Sequence, residues 1–105
     1  MAMTAAPRRA VRLAELRTHR EQIQAIADQY GISNVRVFGS VARDTATADS
    51  DLDLLVDVQP GRGYFDLAGF AIDVEDLLGV FTQVATPNGL KVRVRDKILA
   101  DAVPL

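Results

Sequence analysis

The sequence predicts a small α/β domain of the α+β kind, a mixed β-sheet flanked by helices. Three observations carry that prediction. Apolar residues recur at helical spacing in three stretches, two further segments alternate like strands, and Gly or Pro punctuates most of the boundaries. At 105 residues, with 49% hydrophobic and 25% charged side chains, the chain has material for one core. One domain over 1–105 is expected, its first eight or so residues flexible.

The elements follow in order. Leu13, Leu16, Ile23, Ile26, Ala27 and Tyr30 repeat at helical spacing ahead of Gly31, which predicts one helix over about residues 9–30. Arg20 interrupts its apolar stripe. Asn34–Phe38 alternates as a strand, Gly39-Ser40 breaks it, and Val41–Asp44 suits a short helical turn. Ser50–Val58 is a second strand, and Pro60-Gly61-Arg62-Gly63 a turn. Leu67, Phe70, Ala71, Val74, Leu77 and Leu78 place a helix over 65–79, stopped by Gly79, with Asp66 suited to cap its start. Val80–Thr86 is a third strand, Pro87-Asn88-Gly89 a turn, and about Val92–Ala102 a last helix. The Val103-Pro104-Leu105 tail is expected to fray unless a partner covers it.

Composition removes several function classes. There is no cysteine, so disulfides, thiolate zinc sites and cysteine nucleophiles are excluded. The single histidine, His19, leaves no histidine-rich metal site and reads as a solvated surface residue. Twelve basic against 14 acidic residues give a net charge of -2 and a pI near 5.2, unlike domains held to nucleic acid by bulk charge. No direct nucleic-acid contact is therefore expected. No apolar run approaches the ~20 residues that span a bilayer, and the N-terminus lacks a signal-peptide core. The cytoplasm is the expected address, with no membrane partner.

Charge is also blocked. Between Asp44 and Asp76 nine acids face one base, Arg62, which suggests a cation site. The informative residues are Gly39-Ser40, then ten residues, then Asp51-Leu52-Asp53. Alternation in a strand puts Asp51 and Asp53 on one face, about 6–7 Å apart at Cβ. Two carboxylates so placed repel unless a cation lies between them, and Mg²⁺, which combines few carboxylates with substrate phosphates, suits the pair. Gly39 lets a phosphate approach the backbone, the Ser40 hydroxyl donates to it, and Arg43 adds a charge one turn on. Together these read as a site for a metal-bound nucleoside triphosphate. Tyr64 and Phe65, after the Gly-rich turn, are candidates to stack on its base.

Phe38-Gly39-Ser40-Val41-Ala42-Arg43-Asp44 and Asp49-Ser50-Asp51-Leu52-Asp53-Leu54-Leu55-Val56 resemble the minimal nucleotidyltransferases of the polymerase-β type. The resemblance runs through Pro60-Gly61-Arg62, Phe65-Asp66-Leu67, Leu77-Leu78-Gly79 and the Ile98–Leu105 ending. It implies the polymerase-β-like fold and, for a chain of this size, an antitoxin (MNT) paired with a HEPN ribonuclease toxin, the two forming a hetero-oligomer. Such an antitoxin binds ATP and Mg²⁺ and transfers AMP to a tyrosine of the toxin. The resemblance assigns the triphosphate to Gly39, Ser40 and Arg43, and metal binding and catalysis to Asp51 and Asp53. Two departures stand out. Asp44 replaces the family's glycine, and Gln83 stands where the third strand commonly carries an aspartate. An amide is a poorer Mg²⁺ ligand and no base, so an antitoxin that neutralises by occlusion is the alternative.

Overall fold

The computed structural model describes residues 10–105, so the expectation for the first eight residues lies outside it. The elements run α1 (Leu13–Thr18), α2 (Arg20–Gln29), β1 (Ile32–Phe38), α3 (Gly39–Ala42), β2 (Leu52–Val58), α4 (Tyr64–Leu78) and β3 (Thr82–Ala85). A 3₁₀ turn (Pro87–Gly89), α5 (Val92–Asp101) and β4 (Val103–Pro104) complete the order. The four strands form one mixed sheet in the order β3-β2-β1-β4. β1 is antiparallel to β2 and β4, and β2 is parallel to β3. The expected mixed sheet with flanking helices is present.

One sheet face and the helices share the core. Val37, Leu52, Leu54 and Val56 meet Leu16 of α1, Ile23 and Ala27 of α2, and Phe70 and Val74 of α4. The other face of β2 carries Asp53, Leu55 and Asp57, by strand alternation.

Three elements differ most from expectation, beyond shifts of one or two residues at other boundaries. The single helix over 9–30 is two, broken at His19. Thr18 donates its hydroxyl back to the Glu15 carbonyl at 2.6 Å, and the His19 N–H closes a tight turn on Leu16. Such local bonds compete with the helical ladder. His19 lies part-exposed at this junction, with Nδ1 2.8 Å from Gln22 Oε1. Second, β1 begins at Ile32 because a bulge resets its register. Ser33 faces Asp57 but Arg36 faces Leu55, so Asn34 and Val35 together oppose Val56. Asn34 takes φ +50, a left-handed conformation asparagine tolerates better than most residues. The bulge lets Ile32, Val35 and Val37 all reach the core.

Third, the tail does not fray. Val103 pairs with Val37 and Pro104 with Arg36, and the Leu105 N–H donates to the Val35 carbonyl at 3.2 Å. Arg17 Nη2 donates to the Pro104 carbonyl and Arg20 Nε to that of Leu105, each at 2.8 Å. Arg20, the flaw in the apolar stripe, therefore anchors the edge strand. Leu105 is buried in the core.

α4 starts one residue earlier than expected, and Asp66 secures it from inside the first turn by accepting the Gly63 N–H at 2.9 Å. Gly69, in mid-helix, lies under the Tyr30 ring, whose hydroxyl donates to Asp73 Oδ2 at 2.8 Å. A Cβ at residue 69 would collide with Cε1 of that ring and lie 2.9 Å from its Cζ. Gly69→Ala, ordinarily a gain in a helix, is therefore expected to cost about 1–3 kcal/mol in denaturant unfolding. A more stable variant would show that the ring moves freely.

Candidate functional site

The site forms where the C-terminal end of β1 meets the N-terminal end of β2. Phe38, the last residue of β1, pairs with Asp53. The next residue, Gly39, adopts φ +73, and a Cβ there would collide with Asp53 Oδ2 and lie 3.3 Å from its Cγ. Backbone hand and lack of space both demand glycine. The chain turns at once into α3, and the Ser40 carbonyl accepts the Thr45 N–H at 2.9 Å. Arg43 closes α3. Thr47 and Ser50 then tie the connection to β2, with the Thr47 N–H donating to Ser50 Oγ at 3.0 Å.

Asp51 and Asp53 share a face, as alternation requires, while Leu52 and Leu54 between and beyond them are buried. In the parallel pairing of β2 with β3, Asp53 lies beside Gln83, and Gln83 Nε2 donates to Asp51 Oδ2 at 2.8 Å. Gln83 thus occupies the third position around the two carboxylates. Burial is the first cause that raises the Asp53 pKa above the usual carboxylate value. The Asp51 charge adds to the rise, and Arg43 opposes it.

Arg43 is close enough to act on Asp53 electrostatically, but its Nη1 donates to Asp101 Oδ2 at 3.3 Å, across 58 residues of sequence. Asp101 is a site neighbour that spacing gave no means to find. Asp44 takes φ +58, a conformation that glycine adopts without strain, and turns its carboxylate to Arg12 at 3.1 Å. Tyr64 does not stand with this group. It lines a cleft of about 570 Å³ with Val58, Arg62, Leu67 and Asn88, near Asp57. That is about 13 Å along β2 from Asp53. Phe65 is exposed.

Among the described residues no group of three or more His, Cys, Asp or Glu is placed to hold a metal. The donor set is two carboxylates with an amide beside them. It fits a hard divalent cation that completes its shell with phosphate oxygens and water, and it relieves the charge crowding on Asp53. No helix among the described residues is long and apolar enough to cross a membrane.

A family model for the nucleotidyltransferase domain matches residues 19–105. The chain belongs to that family. Members of it generally take a nucleoside triphosphate and a divalent metal. A candidate protein adenylyltransferase of Methanocaldococcus jannaschii is 32% identical over 84 residues, covering 80% of this chain and 90% of its own. The protein adenylyltransferase MntA of Thermococcus cleftensis is 27% identical over 88 residues, 84% of this chain and 86% of its own. Among solved structures, a candidate minimal nucleotidyltransferase superposes with a TM-score of 0.80 at 43% identity, over 90% of this chain and 97% of that one. A toxin–antitoxin complex with AMP-PNP superposes at 0.67 and 13% identity, over 80% and 69%, and shares the fold. The nucleotidyltransferase fold and activity class expected from the sequence are thereby established.

The crowded carboxylates of this nucleotidyltransferase make a testable demand on stability. A raised folded-state pKa means that the folded protein holds a proton to higher pH than the unfolded chain. The cost therefore lies above that pKa and fades below it. Asp53→Asn is expected to stabilise the metal-free protein at pH 7 by on the order of 0.5–1 kcal/mol, and the gain should shrink as pH falls through the Asp53 titration. Melting curves of both proteins across pH 4–8 check this, and a gain independent of pH would contradict it.

Proposed function

We propose that this nucleotidyltransferase is an antitoxin of the minimal type, acting in the cytoplasm, which transfers AMP from Mg-ATP to a tyrosine hydroxyl of a cognate HEPN ribonuclease toxin. The observation that carries the proposal is the placing of Asp51 and Asp53 on one face against the bend at Gly39-Ser40. The relatives named protein adenylyltransferases support AMP transfer to a protein, and the fold shared with a toxin–antitoxin complex supports a toxin as the acceptor.

In this reading Asp51 and Asp53 hold the cation, and Gly39 gives the triphosphate access to the backbone. Ser40 donates its hydroxyl to a phosphate oxygen and Arg43 adds a charged contact. When bound, the cation supplies charge stabilisation for the departing pyrophosphate and lowers the pKa of the attacking hydroxyl. The tyrosine oxygen bonds to the α-phosphorus, the bond from that phosphorus to the bridging oxygen of the β-phosphate breaks, and pyrophosphate leaves. Gln83 offers no base, so the hydroxyl proton goes to solvent.

One observation favours a second reading. Gln83 spends its amide N–H on Asp51, which leaves a neutral group where a third carboxylate would add charge and basicity. On this account the chain binds nucleotide, transfers AMP slowly or not at all, and silences its toxin by covering it.

Incubation with radiolabelled ATP, Mg²⁺ and the toxin encoded beside it separates the two. Label on a toxin tyrosine, lost in Asp53→Ala, is the result expected for transfer. Equal neutralisation of the toxin by Asp53→Ala, with no label, favours occlusion. Gln83→Asp is expected to raise the transfer rate about tenfold or more, by restoring a charged group beside the reacting phosphate. An unchanged rate would place residue 83 outside the chemistry.

A further inference from the structure

We infer that Asp101 is a positioning residue that holds the Arg43 guanidinium off the Asp51–Asp53 pair and so keeps those carboxylates available to a cation. The inference rests on the reading of that pair as a cation site. Arg43 is fixed by its place in the chain: it closes the one-turn helix that begins at Gly39, and Gly39 packs on Asp53. An arginine there has two anionic neighbours, Asp53, on which its charge acts, and Asp101. The structure shows it on Asp101 at 3.3 Å.

Asp101 is well suited to be a fixed post. It is the last residue of α5, and the chain enters β4 two residues later, where Val103 and Pro104 are clamped to β1. The carbonyls of Pro104 and Leu105 are held by Arg17 and Arg20. The backbone next to Asp101 is thus tied to the sheet, although α5 itself buries none of its residues. The Arg43 and Asp101 side chains are 53% and 36% exposed, so the pair is weak enough for Arg43 to exchange its partner for an arriving phosphate. Without the post, Arg43 is free to fork onto Asp53 or Asp51, the geometry arginine favours with carboxylates, and to occupy oxygens the cation needs.

The test is a double-mutant cycle read by binding of Mn²⁺ alone, followed by electron paramagnetic resonance without nucleotide or toxin. Asp101→Asn is expected to weaken Mn²⁺ binding about three- to five-fold, the scale of one half-exposed ion pair. Asp101→Glu should retain most of the affinity. In an Arg43→Gln background, Asp101→Asn should have no effect, because no guanidinium remains to be restrained. An equal loss in both backgrounds would mean that Asp101 acts only through its charge, and would overturn the inference while leaving the cation site intact. Undiminished binding by Asp101→Asn would overturn it as well. Absence of Mn²⁺ binding by the unsubstituted protein would overturn the cation reading and this inference together.

Discussion

Two like charges held on the same side of a strand, with the backbone of Gly39 packed against one of them, impose the constraint around which this molecule is arranged. Strand alternation allows neither Asp51 nor Asp53 to turn to the opposite face, because Leu52 and Leu54 are committed to the core. Burial compounds the repulsion at Asp53. The free protein carries this cost at neutral pH, and a divalent cation held by the proposed pair would remove it through its charge and its preference for oxygen. Such stored cost is common where binding must do chemical work.

The rest of the fold serves to keep that arrangement in place. The antiparallel pairing of β1 with β2 brings Gly39 to Asp53, and the parallel pairing of β2 with β3 brings Gln83 to Asp51. β4 and the arginines of α1 and α2 then pin the far edge of the sheet. Contacts at some distance in sequence thereby reach the site, Arg43 with Asp101 among them.

Much of this was legible in the sequence because it depends on local periodicity. The alternation over Ser50–Val58 predicted that Asp51 and Asp53 share a face, and the glycine at residue 39 announced a bend that other residues cannot make. The helix break at His19 was not legible, since it depends on one hydroxyl choosing a backbone carbonyl. Nor was β4, where two residues carry no periodicity and gain their conformation from β1. Asp44 stood out in the sequence as a departure from the glycine that the resemblance implies. Its left-handed backbone is one that glycine adopts without strain, and its pairing with Arg12 shows where the charge goes. Tyr64, a candidate for base stacking, lines a cleft at the C-terminal end of β2, where the turn that follows the strand leaves it.

The most direct test of the central claim is calorimetric titration of the purified protein with a non-hydrolysable ATP analogue in the presence of Mg²⁺. The account predicts saturable binding at one site per chain that disappears when Mg²⁺ is chelated and when Asp51 and Asp53 are both replaced by asparagine. Absence of heat with the unsubstituted protein, or binding that survives the double replacement unchanged, would contradict it.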